Sequence, residues 1–305
     1  MRMDDHEWAV EIRGVKQNRK RFSLGPLDLN IPQGYVTAII GPNGSGKSST
    51  FRLLLGQSKP DAGEMSILGT PVGEFDDTEL KRRIGYLAEE SQSPDDRLRA
   101  SDKASFTRAW YPAWDDKLYR ELLRLFEIDE GMKLGRMSKG MRRKFDLALA
   151  LSHAPELLLL DEPSSGLDPL AWKQMIDILH RYMEREGRTI MIASHIVEEV
   201  RRLADYIVIM SQGRVLGQYE KDELFSSWHV VFLYREGLDA KQAEQLPGQS
   251  GVTAAGKDTM RVVTSKLAEI ERWCEEHHIR IVSMHKMELD DILAAMIQRD
   301  RMLTI

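Results

Sequence analysis

Cysteine is almost missing from this sequence: Cys274 is the only one in 305 residues. No intrachain disulfide can brace the fold, which fits a reducing compartment. Long apolar runs are missing too. The most apolar stretches, 35–40, 157–160 and 206–210, fall far short of the roughly 18–20 residues that cross a bilayer. The chain is therefore not expected to form a channel by itself. Its first residues, Met1-Arg2-Met3-Asp4-Asp5-His6-Glu7, carry acids where a secretory leader needs positive charge and then an apolar core, so a secreted product is not expected either. An excess of positive charge is also lacking: 43 Lys and Arg face 48 Asp and Glu, a net charge of −5. That balance argues against a general nucleic-acid binder. Repeats and low-complexity tracts are absent. Trp273, Cys274, His277 and His278 cluster, but they offer too few ligands, and no partner motif, for a metal site.

What is present is a folding composition, 42% hydrophobic and 30% charged, over a length suited to about two domains. Residues 8–40 read as β-rich, with strands at 8–13 and 27–31, a turn at Pro32-Gln33-Gly34, and a near-continuous apolar strand at 35–40. A glycine-rich loop, 41–48, leads into a helix at 49–56. Residues 90–137 read as a helical insertion, with an amphipathic helix at 115–126 carrying Leu118, Leu122, Leu125 and Phe126. Helices at 140–152, 170–187 and 196–204 then alternate with strands at 157–160, 189–193 and 206–210, the pattern of parallel βα units. From about residue 224 the pattern restarts as a small α+β appendage. It has strands at 228–234, 259–264 and 279–284, helices at 265–278 and 288–299, and a weak helix and loop within 237–256.

Two motifs carry chemistry. Gly41-Pro42-Asn43-Gly44-Ser45-Gly46-Lys47-Ser48 matches G-x-x-x-x-G-K-[ST]. Phosphate oxygens need many donors at close range. Glycines let the loop turn its N–H groups inward, and the following helix adds its positive end. Lys47 supplies a point charge and Ser48 a hydroxyl for Mg²⁺. A strand before and a helix after are the context that separates this motif from a chance glycine-rich turn. The second motif is the run of four leucines, 157–160, that ends in Asp161-Glu162. It places two acids at a strand's C-terminal end, where open α/β sheets bind ligands. Asp161 is expected to hold Mg²⁺, and Glu162 to orient and polarise a water.

Together these residues narrow the family. Asp161-Glu162-Pro163-Ser164-Ser165-Gly166-Leu167-Asp168 resembles the Walker B and D-loop run of ABC ATPases, and Ser194-His195 resembles their switch histidine. Met137-Ser138-Lys139-Gly140-Met141 occupies the place of their LSGGQ signature. The order matches across roughly residues 8–220. Ile84-Gly85-Tyr86-Leu87-Ala88-Glu89 and the Ser-Lys-Gly-Met signature look most like ATP-binding subunits of bacterial multidrug- and antibiotic-type exporters.

The resemblance implies a RecA-like P-loop ATPase core with an N-terminal β-rich part and a helical subdomain at about 90–137, forming a domain 1–223, and a C-terminal α+β extension at 224–305. It implies ATP and Mg²⁺ as ligands: Gly41 to Ser49, so Ser49 too, on the phosphates, and Ser48, Glu89 and Asp161 on the metal. In that family two domains pair head to tail. Ser138, Lys139 and Gly140 would then meet the γ-phosphate bound to the partner's loop, Asp168 would sit at the seam, and Glu162, Lys47 and His195 would carry the chemistry. A homodimer and a heterodimer both fit. The implied partner is a separate multi-spanning permease, which places the chain peripherally on the inner face of the cell membrane; no nucleic acid is expected.

Three positions depart from the family pattern. Glu89 stands where a glutamine is usual, with Gln92 three residues on as the other reading. Lys139 and Met141 replace Gly and Gln in the signature. An adenine-stacking aromatic is not obvious: Asn18 aligns there, and nearby Phe22 either stacks on adenine or packs in the core. Arg13, Lys16, Arg19, Lys20 and Arg21 either hold phosphates or form a solvated edge. Trp110, Tyr111 and Trp114 either line a docking groove for a permease helix or pack inside the helical subdomain. Two rival classes carry other signatures. A soluble ABC-type ATPase working on the ribosome or DNA would carry two cassettes, a long coiled coil or a zinc hook. A P-loop kinase or GTPase would lack the signature and His195, and a GTPase would carry a guanine reader.

Overall fold

The computed structural model describes residues 7–20, 22–73, 77–89, 93–234, 242 and 245–303. Arg21 and Gln92 lie outside the described residues. Two compact units emerge, Met1–Gln218 and Tyr219–Ile305.

The first unit runs β1 (Trp8–Arg19), β2 (Phe22–Pro32), β3 (Val36–Ile40), α1 (Lys47–Leu54), β4 (Ala62–Ile67), β5 (Thr70–Pro71), α2 (Thr78–Arg82) and β6 (Ile84–Leu87). It continues through α3 (Ala100–Trp110), α4 (Asp116–Leu125), α5 (Lys139–Ser152), β7 (Leu157–Asp161), α6 (Pro169–Met183), β8 (Thr189–Ser194), α7 (Val197–Leu203), β9 (Tyr206–Ser211) and β10 (Arg214–Glu220). One sheet has the order β10-β9-β3-β8-β7-β6 and a smaller one β2-β1-β4-β5.

The large sheet positions the site. β3, β7, β8 and β9 are buried along their whole length, as expected where both faces are covered. Leu157 to Leu160 are each 0% exposed, and each contributes roughly 1.5–3 kcal/mol of burial. Because β6, β7, β8, β3 and β9 pair in parallel, their C-terminal ends share one edge. The register sets Asp161 beside Ala193 and Ile40 beside Ser194. The loops after β3, β6, β7 and β8 therefore open side by side, at the place where open α/β sheets hold ligands.

Several elements differ from the sequence reading. β4, β5, β6 and β10 are strands that apolar periodicity did not mark. In α4 the buried face is Tyr119, Leu122 and Leu123, continued by Phe126, while Leu125 is 39% exposed. That spacing is a full i, i+3, i+4, i+7 stripe packed toward α5, so Leu118 and Leu125 lie at its margin.

The second unit contains α8 (Lys221–Ser227), β11 (His229–Tyr234), β12 (Gln249–Ala254), β13 (Thr259–Thr264), α9 (Leu267–Glu276), β14 (Ile281–Lys286) and α10 (Leu289–Leu303). Its sheet runs β12-β13-β11-β14 with antiparallel neighbours. β12 lies where a loop was expected. Its Gln-Ser-Gly start masks the pattern, and pairing with β13 supplies the order. Val231, Leu233, Val262, Ile270 and Cys274 share the core. The buried Cys274 thiol is pushed up to about 11, chiefly by desolvation, while Trp273 stacks on His277 at 4.1 Å.

Candidate nucleotide site

Gly46 caps α1 at φ 114°, and a Cβ there would lie 2.7 Å from Leu24 Cδ1. The loop needs glycine at this point for conformation and for space. Lys47 opens the helix. Its side chain is buried, and Nζ donates to Gly41 O at 2.8 Å and Pro42 O at 3.4 Å. Burial pulls its pKa down, while Glu162, Asp161 and Glu89 push the other way. Ser45 is 2% exposed and its buried Oγ has no partner among the described residues. A buried hydroxyl left unmatched in this loop is one that a bound anion would satisfy.

Ser48 Oγ donates to Asp161 Oδ1 at 3.2 Å. This bond joins the loop after β3 to the end of β7. Asp161 is pushed up to about 6, mostly by burial, with nearby Glu89 and Glu162 adding to the rise. A buried carboxylate among other acids is a setting that a divalent cation relieves, and an oxygen-only donor set of Ser48, Asp161 and Glu89 suits Mg²⁺. Glu89 lies on the exposed loop after β6.

Glu162 is 7% exposed and takes φ 48°, unusual for a residue with a side chain. Its N–H donates to Ala193 O at 2.9 Å, and its carbonyl accepts from Ser165 N at 3.0 Å. His195 Nδ1 lies 2.7 Å from Glu162 Oε2, with the histidine 57% exposed on the open side. Beneath it, Glu199 is fully buried and accepts from Ser194 Oγ at 2.6 Å, while Ser194 Oγ accepts from Ile196 N at 2.9 Å. The residues on both sides of His195 are pinned this way.

Ser138 and Asp168 occupy helix starts. Ser138 caps α5 by accepting from Met141 N at 3.1 Å, and Asp168 caps α6 by accepting from Leu170 N and Ala171 N at 2.9 Å. The two loops touch: Lys139 Nζ donates to Ser165 Oγ at 2.8 Å, and a Cβ on Gly140 would lie 2.8 Å from Gly166 O. Sequence reading missed this contact, along with Arg143 and Glu199. Their signals were single polar residues in helices, meaningful only through partners distant in the chain. Phe22 packs against the core beside Gly46.

A groove of about 440 Å³ lies between the edge of the core and α3 and α5, lined by Gln57, Tyr86, Lys103, Tyr111, Arg142 and His153. Tyr111 stacks on His153 at 3.9 Å. Trp110 is 57% exposed beside Phe106, and Trp114 packs on Tyr119 at 5.2 Å. The three aromatics divide accordingly: one lines the groove, one faces outward, and one packs within the subdomain.

His153, 3% exposed, is pushed down to about 4 by burial. Its unfolded value is about 6.5. The unfolded chain therefore binds the extra proton first as pH falls, so stability is complete above about pH 6.5 and declines toward pH 4. The difference corresponds to about 3 kcal/mol. Wild type should lose more in its urea midpoint between pH 7 and pH 4.5 than His153→Gln does; equal losses contradict the assignment.

Known proteins bear likeness to this chain. A family profile described as "ABC transporter" matches residues 24–165. The daunorubicin/doxorubicin resistance ATP-binding protein DrrA of Streptomyces peucetius is 32% identical, with 94% of this chain and 92% of the relative aligned. The bacitracin transport ATP-binding protein BcrA of Bacillus licheniformis is 33% identical over 69% of each chain. Among solved structures, one described as the ATP binding subunit of an ABC transporter superposes with TM-score 0.65 at 25% identity, covering 72% of this chain and 92% of that one.

Proposed function

This chain belongs to the ABC transporter family as an ATP-binding subunit, and from that premise we propose that it hydrolyses ATP to drive a separate membrane permease of the exporter type. The observation that carries the reading is the pairing of Ser48 with Asp161 at 3.2 Å and of Glu162 with His195 at 2.7 Å on one sheet edge. ATP phosphates lie along the loop 41–49, with Lys47 on the β and γ groups. Ser48 and Asp161, joined by Glu89, would hold Mg²⁺. When bound, that ion offsets charge on the phosphate oxygens. Glu162 accepts a proton from the attacking water as its oxygen bonds the γ-phosphorus and the bond to the β-γ bridging oxygen breaks, leaving ADP and phosphate. His195, held by Glu162 and by the pinned turn around it, contacts the γ-phosphate.

Two subunits pair head to tail, so that Ser138, Lys139 and Gly140 of one approach the γ-phosphate on the other, with the start of α5 adding its positive end. Asp168 lies at the seam, next to Leu170, which is 68% exposed and suited to being covered. The groove carrying Tyr111, with Trp110 nearby, receives a short permease helix. Among the described residues no helix is long and apolar enough to cross a membrane. The rival reading, a soluble ATPase on the ribosome or DNA, draws no support from the relatives.

The test is purification of the tagged chain from detergent-solubilised membranes. A multi-spanning partner should come with it, and Trp110→Asp should weaken that association while leaving basal ATP hydrolysis intact. Co-sedimentation with ribosomes and no membrane protein overturns the transporter reading.

A further inference from the structure

Arg143 makes contacts that neither the phosphate-loop motif nor the acid-pair motif requires. It lies on α5, five residues after the capping Ser138, and is 3% exposed. Nε donates to Pro163 O at 3.1 Å, Nη1 to the carbonyls of Ala88 and of Glu89 (3.0 Å for the latter), and Nη2 to the carbonyls of Asp161 and Glu162. One guanidinium thus gathers five main-chain oxygens from two loops. Its acceptors include the carbonyls of Glu89, Asp161 and Glu162, whose side chains were assigned above to the metal and the water. A planar fork with five N–H groups can serve two separate carbonyl clusters at once; a lysine ammonium serves as a single point.

The backbone at Glu162 explains why such a clamp matters. At φ 48° this residue holds a conformation that persists only where the surroundings over-determine it. Ala193 O and Ser165 N fix it from the sheet and the following turn, and Arg143 fixes its carbonyl from the signature helix. The direction of the Glu162 carboxylate follows from that backbone.

We propose that Arg143 is a positioning residue that fastens the main chain of Glu89 and Glu162 to α5, so that the water-activating acid and the metal-side loop keep register with Ser138. The proposal rests on the ATPase reading of Glu162. It predicts a split in the kinetics. Arg143 touches none of the phosphate-loop residues in these contacts, so its loss lowers kcat and spares nucleotide affinity.

The experiment compares Arg143→Met and Arg143→Lys with wild type, below the unfolding midpoint of each. It measures equilibrium binding of a fluorescent ATP analogue, kcat, and amide hydrogen exchange across 86–89 and 161–166. Expected are a Kd within about twofold of wild type, a kcat about tenfold lower for Arg143→Met and intermediate for Arg143→Lys, and faster exchange confined to those two segments. If Arg143→Met does not fold, Arg143→Lys against wild type decides by the same readouts. A kcat within twofold of wild type with unchanged exchange overturns the proposal, as does a parallel loss of affinity and kcat, which a general structural role would give. Glu162→Gln, run alongside, separates the two readings. If it turns over like wild type, the acid assignment fails, and the exchange data still judge the clamp. If it is inactive while both Arg143 variants match wild type, the clamp alone fails.

Discussion

Glu162→Gln should bind ATP about as well as wild type and lose steady-state turnover by about 100-fold or more. The replacement keeps shape and volume, and its side-chain oxygen can still accept from His195 Nδ1, now 2.7 Å from Oε2. The left-handed backbone at this position is set by Ala193, Ser165 and Arg143, none of which the substitution touches. What disappears is the proposed acceptor of the water's proton. Because ATP lies between the two paired chains of the proposed dimer, a variant that binds ATP without hydrolysing it should also accumulate as a dimer with ATP. Equilibrium nucleotide binding, phosphate release and sedimentation velocity check the three parts. Unchanged phosphate release contradicts the assignment of Glu162.

Lys47→Ala should fail earlier, at binding. The ammonium is 6% exposed and held at the loop carbonyls of Gly41 and Pro42. Removing it takes away the one side-chain cation of the phosphate loop, a charge set beside Glu162, Asp161 and Glu89. ATP affinity should fall by about 100-fold, or about 2.7 kcal/mol at 1.36 kcal/mol per tenfold, with turnover lost as well. Isothermal titration against both variants separates the roles. Glu162→Gln keeps the heat of ATP binding, and Lys47→Ala does not. Wild-type affinity in Lys47→Ala contradicts the phosphate role.

The difference between these variants follows from motifs that are local in sequence, which is why the site was largely legible before the structure. The loop 41–48 and the acids 161–162 announce themselves because their chemistry needs fixed residue types at fixed short spacing. The strands β3, β7, β8 and β9 were legible for a related reason: a strand buried on both faces must be apolar throughout. β12 was not, since an edge strand beginning Gln249-Ser250-Gly251 owes its order to β13 rather than to its own pattern. β6, only four residues long, is set by pairing with β7. Arg143, Glu199 and the Lys139–Ser165 contact share one difficulty. Arg143 and Lys139 are charged residues on a helix, which in sequence reads as solvated surface. Only the fold brings Lys139 to a loop 26 residues away and Arg143 to loops about 20 and 55 residues away. Glu199 sits in a helix rich in acids and bases, where nothing marks it as the one that is buried.

The central claim is that one ATP is served by two chains, the loop 41–49 of one and the Ser138 signature of the other. The most direct measurement mixes two inactive variants, Lys47→Ala and Ser138→Arg, and follows phosphate release. Each homodimer lacks a needed part at both sites. In a mixed dimer, the intact loop of the Ser138→Arg chain faces the intact signature of the Lys47→Ala chain, so one complete site forms. Activity that appears on mixing and scales with the fraction of mixed dimer is the predicted result. A mixture as inactive as its components, with mixed dimers present, contradicts the claim.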